Sequence, residues 1–380
     1  MRKNILILGH SYATQFIDVY NQYTRLFDKN KYHVTIAYLT GKPNEHVLDR
    51  TIADEVLFLN APKASIRGLK INQIKNALKL CKERQFEIVI CHRYKPSYIM
   101  MWVAQFINIP ALIFVMHELN TMKSINRRLL ITALFRKNMM FAGVSNAVRD
   151  DIRKHIWRVP ANRVETLYNV IDVELTKPQL HTREEARQQL NIPANTYVFG
   201  HVARLVPNKD QATLIQAFAN IKEECPNAKL IILGNGVLES TLKEQVAALH
   251  LQDQVIFTGF VPEGFRFMRA FDCFVLSSVQ EAFGRVLLEA MIAQCPIIAT
   301  RTNGIPEVVG NAGIIIPPRD TAALAAAMKK IYSLSTESRQ HMVENAYAHM
   351  LQNYSIPVFK EHFWNLPLLK HLAPIDMEKN

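Results

Sequence analysis

The residues best suited to chemistry lie in the segment Glu281-Ala-Phe-Gly-Arg-Val-Leu-Leu-Glu289, where two carboxylates flank a glycine. The apolar run Ala270–Ser278 before it reads as a strand, and the residues from Gly284 onward read as a helix. The free N–H groups and the positive dipole at such a helix start suit a phosphate. A carboxylate in the preceding loop can accept hydrogen bonds from sugar hydroxyls. The segment therefore predicts a site for a phosphorylated sugar, reached at two points by Glu281 and Glu289.

The elements that must position this segment alternate between short apolar strands and amphipathic helices. The predicted strands are Asn4–Leu8, His33–Tyr38, Glu55–Leu59, Ile88–Cys91, Ala111–Met116, Met140–Val144, Val164–Leu167, Tyr197–Ala203, Ala228–Leu233, Val255–Thr258, Ala270–Ser278, Ile297–Thr300 and Gly313–Ile316. This alternation indicates the α/β class, with two doubly wound parallel sheets covered on both faces. In such sheets ligands bind beyond the carboxyl ends of the strands. Polar or glycine-bearing positions follow those ends at Gly9-His10, His92-Arg93, His117-Glu118, Arg204, Gly234-Asn235-Gly236, Gly259, Glu281 and Asn303-Gly304.

A change of composition between residues 172 and 195 indicates a domain boundary. Prolines bracket a polar helix over Thr182–Leu190, which has an N-cap threonine and Glu185 three residues later. We predict an N-terminal domain over residues 1–178, a C-terminal domain over 179–354 and a tail over 355–380. The tail carries Phe359, Phe363 and Trp364, and we expect it to pack as a helix on the body of the protein.

Bulk properties limit the class of protein. A chain of 380 residues favours two domains with substantial cores. Its five cysteines form no C-x-x-C pair, and we interpret them as reduced core residues in preference to a disulfide or zinc framework. The start, Met1–Leu8, fits a first strand better than a secretory signal, and no apolar run approaches the length of a membrane span. We expect a cytoplasmic protein.

The charge is concentrated in the first half of the chain. Residues 1–177 contain 27 Lys and Arg against 14 Asp and Glu, hence +13, and residues 178–380 contain 18 against 19. Some of the cations form clusters, such as Arg67/Lys70, Arg127-Arg128 and Arg136-Lys137. Each cluster can also be read as an ordinary solvated helix face. A basic half is compatible with nucleic acid, an anionic membrane surface or an anionic soluble substrate.

Several chemistries are disfavoured by spacing. His117-Glu118-Leu119-Asn120-Thr121 lacks the second histidine of a zincin motif, and no other His or Cys set has metal-ligand spacing. No Asp-x-Asp pair is present to anchor a divalent cation, so no metal and no cofactor are expected. Gly9-His10-Ser11 is not the dinucleotide fingerprint, and no G-x-S-x-G elbow occurs.

Four segments in order resemble the nucleotide-sugar domain of the retaining GT-B glycosyltransferases of family four. They are HVARLVPNKD (201–210), IILGNGVLE (231–239), VIFTGFVP (255–262) and the long run SSVQEAFGRVLLEAMIAQCPIIATRTNGIPEVV (277–309). The first half matches more loosely, through FAGVSNAVRDDI (141–152) and LYNVIDVELTKP (167–178). The resemblance implies a GT-B fold, in which two Rossmann-like domains face a central cleft, the first for the acceptor and the second for the donor.

The resemblance also implies roles for four charged residues. Arg204 and Lys209 correspond to the pair that binds the donor diphosphate, although a surface lysine is the bland alternative for Lys209. Glu281 corresponds to the catalytic carboxylate near the donor sugar, and Glu289 to the one that binds the ribose. Glu289 stands between Leu288 and Ala290, and we expect it to be buried.

Further donor contacts are implied for Phe283, Gly284, Arg285, Gly234, Gly236 and Val261. The first three would supply backbone amides to a phosphate, the two glycines would allow close approach to the nucleotide or merely form a turn, and the valine would hold the base. His117 corresponds to the catalytic histidine near the sugar, or it is structural. Weaker candidates, assigned to the acceptor side, are Gly9, His10, His92, Arg93 and Asn303.

The function implied is retaining, metal-independent hexose transfer from a nucleotide sugar, with a UDP-sugar favoured and GDP-mannose as the second choice. The basic half predicts an anionic or lipid-linked acceptor, such as lipopolysaccharide or polysaccharide, and peripheral binding to the anionic inner leaflet; no nucleic acid is expected. One alternative is a nucleotide-sugar epimerase of the same architecture. The other is a basic membrane-binding or nucleic-acid-binding module without enzymatic activity.

Overall fold

A computed structural model describes residues 2–12, 14–62, 65–66 and 68–373, without the side chains of Thr14 and Gln15. Arg67 of the first basic cluster and the last seven residues of the predicted tail lie outside the described residues. The chain divides into two compact units, one of residues 1–169 and 356–380 and the other of residues 170–355. The first unit therefore ends before the predicted boundary at residue 178, and it includes the C-terminal segment.

The first unit is a sheet of seven parallel strands flanked by helices. In chain order the strands are β1 (Lys3–Gly9), β2 (Tyr32–Tyr38), β3 (Glu55–Phe58), β4 (Ile88–His92), β5 (Ala111–Met116), β6 (Met139–Gly143) and β7 (Val164–Thr166). Their spatial order is β3-β2-β1-β4-β5-β6-β7. β4, β5 and β6 are buried along their whole length, as expected for strands covered on both faces.

Helices connect the strands of this sheet. They are α1 (Thr14–Thr24), α2 (Glu45–Arg50), α3 (Ile71–Arg84), α4 (Tyr94–Val103), α5 (Ile125–Leu134) and α6 (Asn146–His155). The C-terminal helix, Ile356–Trp364, packs its aromatic side chains on the same unit. Its Phe359 ring meets Tyr23 edge-on at 4.9 Å, and the Trp364 indole N–H donates to the Leu26 carbonyl at 3.1 Å.

The second unit repeats this arrangement with six parallel strands. They are β8 (Tyr197–Val202), β9 (Ala228–Leu233), β10 (Val255–Gly259), β11 (Cys273–Leu276), β12 (Ile297–Thr300) and β13 (Ile314–Ile316), in the spatial order β10-β9-β8-β11-β12-β13. The helices are α7 (Val173–Thr176), α8 (Arg183–Gln189), α9 (Gln211–Ala219), α10 (Glu239–Ala248), α11 (Arg285–Ile292), α12 (Ile305–Val309), α13 (Thr321–Tyr332) and α14 (Thr336–Tyr354). Among the described residues, no helix is both long and apolar enough to cross a membrane.

Both sheets reverse their winding direction beside the first strand of the unit, between β1 and β4 and between β8 and β11. A crevice forms at such a point because the connections on its two sides leave in opposite directions. The predicted pair of doubly wound parallel sheets is confirmed, and every predicted strand is present with small shifts at its ends. The loops after these four strands are therefore where ligand-binding residues are expected in each unit.

Candidate functional site

In the second unit, the loop after β8 is docked on the loop after β11. The Ser277 hydroxyl donates to the Lys209 carbonyl at 2.9 Å, and the Val279 amide donates to the Asn208 carbonyl at the same distance. The Asn208 side chain also reaches the Gln280 carbonyl at 3.3 Å. Two hydrogen bonds to the backbone of residues 208 and 209 and one from the Asn208 side chain thus fix the segment from which the Lys209 side chain extends.

Lys209 and Glu281 form an ion pair at this junction. Their side chains are 15% and 17% exposed, so neither charge lies in bulk water. The Glu281 amide donates to the Asn303 side-chain oxygen at 3.3 Å, and the Glu281 carbonyl accepts from the Gly304 amide at 3.1 Å. The loop after β12 therefore holds the backbone of Glu281 through two hydrogen bonds and so positions its carboxylate. Asn303, which the sequence assigned to the acceptor side, lies here in the second unit.

A buried histidine ties the same junction to the sheet beneath it. The Nδ1–H of His201 donates to the Val275 carbonyl at 2.8 Å, linking β8 to β11. Gln211 at the start of α9 donates to His201 Nε2 at 3.2 Å and to the Arg204 carbonyl at 3.0 Å. Burial lowers the pKa of His201 to about 4, so the imidazole is neutral at physiological pH.

Helix α11 begins with its glycine N-cap in a left-handed conformation. Gly284 has φ 89°, a conformation that side chains rarely tolerate. The Phe283 ring is buried against Tyr354, with ring centroids 5.6 Å apart, so this residue can offer a ligand only its backbone. Arg285 is the first helical residue, as predicted to within one position. Glu289, one turn further on, is only partly buried, so the expectation that it is buried was wrong.

The two glycines after β9 have a structural explanation. A Cβ on Gly234, whose φ is +138°, would stand 1.9 Å from the Ala203 carbonyl oxygen, and a Cβ on Gly236 would stand 2.3 Å from that of Leu205. The Leu205 amide donates to the Asn235 carbonyl at 2.9 Å across this contact. The glycines therefore let two loop backbones touch, and this requirement exists whether or not a ligand is bound.

Two further predicted donor residues stand at the rim of this edge. Arg204 is exposed, and its guanidinium has no hydrogen-bond or ion-pair partner in the part of the chain that the structure describes. Val261 follows β10 beside Phe260, which is 68% exposed. The Gly259 carbonyl accepts from the Gly234 amide at 2.8 Å, so the loops after β9 and β10 adjoin. Sequence reasoning missed Phe260 because a single exposed aromatic residue carries no spacing signal.

In the first unit, the loops after β1, β4 and β5 enclose a cavity of about 370 Å³. Its lining residues are His10, Arg93, Tyr94, Lys95, Met116, His117, Glu118, Leu119, Asn120, Thr121 and Arg127. The strand-end positions predicted from sequence are thus brought together. Tyr94, Lys95 and Arg127 were not predicted as site residues, although the run Arg93-Tyr94-Lys95 directly after β4 was available as a signal.

Two histidines meet behind this pocket. His92 is fully buried at the end of β4, and its Nδ1 lies 3.0 Å from Nε2 of His117. Burial and the neighbouring His117 hold the pKa of His92 well below its usual range. The His117 ring also meets Phe16 edge-on at 5.6 Å. His92 is therefore a neutral support for His117 in the first unit. A Cβ placed on Gly9 would lie 2.5 Å from the Tyr20 ring, so this position requires a glycine.

Arg93 is held in a conformation that is rare for a residue with a side chain. Its φ of 73° and ψ of 166° fall in a region used almost only by glycine. The guanidinium is ion-paired with Glu118 and lies 4.8 Å from the centre of the Phe16 ring. The Ser97 hydroxyl donates to the Arg93 carbonyl at 2.8 Å, which secures the strained residue at the start of α4.

The structure assigns the predicted catalytic pair to different units, with Glu281 in the second and His117 in the first. Within the described residues, no cluster of three or more His, Cys, Asp or Glu side chains could hold a metal ion. The five cysteines are all buried and unpaired.

Two family models match consecutive parts of the chain. The model described as Glycosyltransferase Family 4 matches residues 20–175, and the model described as Glycosyl transferases group 1 matches residues 182–349. A relative from Campylobacter jejuni, an N-acetylgalactosamine-N,N'-diacetylbacillosaminyl-diphospho-undecaprenol 4-alpha-N-acetylgalactosaminyltransferase, is 27% identical over 241 residues. That match covers 61% of this chain and 63% of the relative. The chain spans between about a third and just under two thirds of the first curated relatives it matches.

Solved structures match over the whole chain. A glycosyltransferase from Rickettsia africae superposes with a TM-score of 0.81 at 18% identity, covering 100% of this chain and 99% of that one. Anabaena Alr3699/HepE in complex with UDP and glucose superposes with a TM-score of 0.77 at 21% identity, covering 95% and 98%. At these identities the likeness establishes the fold. With the two family models, which together take up most of the sequence, it shows that the chain belongs to the group 1 and family 4 glycosyltransferases of the GT-B fold.

Proposed function

We propose that this protein is a retaining, metal-independent glycosyltransferase that moves a hexose from a nucleotide sugar to a lipid-linked, lipopolysaccharide or polysaccharide acceptor in cell-envelope biosynthesis. A UDP-sugar is the favoured donor and GDP-mannose the second choice. The observation that carries the proposal is the partly buried Lys209–Glu281 pair, fixed by loops from three strands at the switch point of the second sheet. The solved structure of Anabaena Alr3699/HepE with UDP and glucose supports the choice of donor class.

The donor would engage this edge through three kinds of group. Lys209 and the exposed Arg204 supply positive charge for the diphosphate, which is required where no metal neutralises the leaving group. The start of α11 supplies backbone amides and the positive end of its dipole. Glu281 then faces sugar hydroxyls and positive charge that develops on the ring, while Glu289 takes the ribose. When the diphosphate arrives, Lys209 would exchange part of its contact with Glu281 for a phosphate oxygen.

The proposed reaction proceeds on one face of the sugar. The acceptor hydroxyl attacks the anomeric carbon from the side of the departing diphosphate, the bond from that carbon to the phosphate oxygen breaks, and the hydroxyl proton passes to the leaving phosphate. No protein nucleophile is needed. The protein contributes positioning and electrostatic stabilisation, with His117 as a group near the sugar.

A thermal-shift screen against UDP, GDP and ADP tests the donor assignment. A ligand that binds the folded protein raises its apparent melting temperature. We expect a shift with UDP and a smaller one with GDP, each reduced by Lys209→Ala and unchanged by Lys330→Ala on an exposed part of α13. Shifts that are equal in the two variants would contradict this site.

The acceptor proposal rests on a basic and apolar surface of the first unit. From Leu119 to Arg149 the chain has six Lys and Arg and no Asp or Glu. Within this run, α5 exposes Ile125 at 52% and Leu129 at 54%. Trp157 is 39% exposed beside it, with the Arg128 guanidinium 5.7 Å from the centre of its ring. Apolar side chains rimmed by cations are typical of helices that lie on anionic membranes.

Vesicle co-sedimentation tests the membrane part of this proposal. We expect binding to phosphatidylglycerol vesicles, little binding to phosphatidylcholine vesicles, and loss of binding as salt is raised. Leu129→Glu should reduce binding by about tenfold because it removes apolar contact and adds a negative charge. Leu351→Glu, at a comparably exposed leucine of α14, is the matched control. Equal binding to neutral and anionic vesicles would contradict the proposal.

Two other functions make different predictions. A nucleotide-sugar epimerase would convert the sugar nucleotide without any acceptor, so a product assay lacking acceptor separates it from a transferase. A membrane-binding or nucleic-acid-binding module without activity would explain the basic first unit. It would not explain the Lys209–Glu281 ion pair and its loop contacts in the second unit.

A further inference from the structure

The pocket of the first unit has an excess of positive charge. Its eleven lining residues include the three cations Arg93, Lys95 and Arg127, and a single carboxylate, Glu118. His10 adds no charge at neutral pH, because burial, Lys95 and Arg93 lower its pKa to about 4. His117 aside, the three cations and the single carboxylate of the lining give a net charge of about two positive units.

The charges in this pocket are not neutralised by the rest of the described chain. The Lys95 ammonium has no hydrogen-bond or ion-pair partner among the described residues. Arg127 lies over the Tyr94 ring at 4.3 Å and donates to the Thr121 carbonyl at 2.6 Å, so it is oriented but keeps its full charge. Nearby, the pKa of Lys70 is lowered by burial and then by Lys95 and Arg127. Lys95, Arg127 and Lys70 are thus held close together, and Glu118, which pairs with Arg93, is the single carboxylate in the lining.

Two further features are those of a site prepared for a ligand. Arg93 is kept at the pocket in a strained backbone conformation, and strain of this kind persists where the surrounding structure enforces it. Its partner Glu118 is 63% exposed and can move away from the guanidinium. His10 also lines the pocket, and its Nδ1 atom is a buried polar atom that has no hydrogen-bond partner among the described residues.

We propose that this pocket binds a phosphate group carried by a saccharide, with Lys95, Arg127 and Arg93 as its ligands. A phosphate monoester brings close to two negative charges at neutral pH, which matches the excess of the lining better than a carboxylate does. A cavity of about 370 Å³ is within the range of small-ligand sites and can take a phosphate with part of a sugar. The inference rests on the proposed function in one respect only, that the first unit receives the acceptor.

Calorimetric titration with glucose 6-phosphate tests the proposal, with glucose as the neutral control and saturating UDP present to fill the nucleotide site. The wild-type protein should bind glucose 6-phosphate and show no binding of glucose. Lys95→Gln and Arg127→Met should each weaken binding by about tenfold, because each removes a charge-assisted hydrogen bond. Glu118→Gln should strengthen binding, because it removes the carboxylate that competes for Arg93. Lys123→Gln, an exposed cation of the same segment outside the pocket, should change nothing.

A second arm replaces the soluble sugar phosphate by farnesyl phosphate in phosphatidylcholine vesicles, which separates a soluble from a lipid-borne source of the phosphate. Dependence on Lys95 in either arm supports the site, and the arm that responds identifies the source. Binding that survives Lys95→Gln and is lost in Lys209→Ala would overturn it, because the phosphate would then occupy the second unit. UDP binding without any Lys95-dependent phosphate binding would overturn this inference alone, whereas absence of UDP binding would overturn the proposed donor site.

Discussion

At the carboxyl edge of the second sheet Lys209 and Glu281 form a partly buried ion pair, whereas in the pocket at the same edge of the first sheet three cations share one carboxylate, Glu118. The two sheets share their central strand order, so each has a crevice beside the first strand of its unit, where the winding reverses. Lys209 and Glu281 suit a ligand that carries both an anionic group and hydroxyl groups. Lys95 and Arg127 suit a ligand that is mainly anionic. The fold thus determines where a ligand binds, and the loop residues determine which ligand.

The two edges also differ in how their loops are held. In the second unit, backbone meets backbone at Gly234 and Gly236, and side chains such as Ser277 and Asn303 bond to neighbouring loops. In the first unit, Gly9 at the end of β1 packs on the Tyr20 ring, and the His10 carbonyl accepts from the Thr40 amide at 3.0 Å. Backbone hydrogen bonds thus hold loops at both edges, and the edges differ in that the second-unit glycines meet backbone whereas Gly9 meets a side chain.

The largest difference between the two edges is expected in the rate of transfer. Lys209→Ala and Glu281→Ala should each lower kcat by about 10²–10³-fold, because each removes electrostatic stabilisation of the transition state. Lys95→Gln should act chiefly on the KM for the acceptor. The measurement is the release of UDP in the presence of acceptor, with circular dichroism to verify folding. Near-normal transfer by both purified second-unit variants would show that the second edge does not control the rate of transfer.

A smaller effect, on stability, tests how rigidly the second edge is held. Gly234→Ala places a Cβ 1.9 Å from a backbone oxygen, and we expect it to lower the free energy of unfolding by about 2–4 kcal/mol. Gly259→Ala is the matched control, because its φ is also positive, at +71°, but nothing lies within 4 Å of the added Cβ. It should cost about 1 kcal/mol. Urea unfolding of the full chain measures both, and equal losses would show that the backbone contact is unimportant.

The smallest effect concerns acid sensitivity. The pKa of His201 is about 4 in the folded protein and 6.5 when unperturbed, so the unfolded state binds a proton first as the pH falls. The stability that neutral His201 contributes is complete above pH 6.5 and is lost progressively down to pH 4. The loss amounts to roughly 2 kcal/mol at pH 5.

The variant His201→Gln should therefore flatten the decline of stability between pH 6.5 and pH 5. Part of the decline should remain, because the pKa values of His10 and His92 in the first unit are lowered in the same direction. Thermal unfolding at several pH values measures the slope. The same slope in the wild type and in His201→Gln would contradict the assignment of the buried histidine as an acid-sensitive element of the second unit.

Local signals were predicted well from the sequence. The capping box of Thr182 and Glu185 is present, with both reciprocal hydrogen bonds. The strands of both sheets lie where their apolar runs indicate, because burial on both faces requires continuous apolar sequence. Sequence-based prediction was poorer where the reason for a residue is a contact with a residue far away in the chain. Gly234 is explained by the Ala203 carbonyl, and the burial expected for Glu289 from its sequence neighbours was not found, since neighbours along a helix face in different directions.

The class of fold, the strand ends that carry polar residues and the family could be inferred from the amino-acid sequence, because periodicity and motifs are properties of short stretches. Which of those strand ends meet is a property of the folded chain. It brought Asn303 to the backbone of Glu281, and it gathered Lys95 and Arg127 around one pocket with Arg93. Asn303 is 22 positions from Glu281, and Arg127 is 32 positions from Lys95 and 34 from Arg93, so these groupings depend on sheet order and loop packing, which no short stretch of sequence encodes.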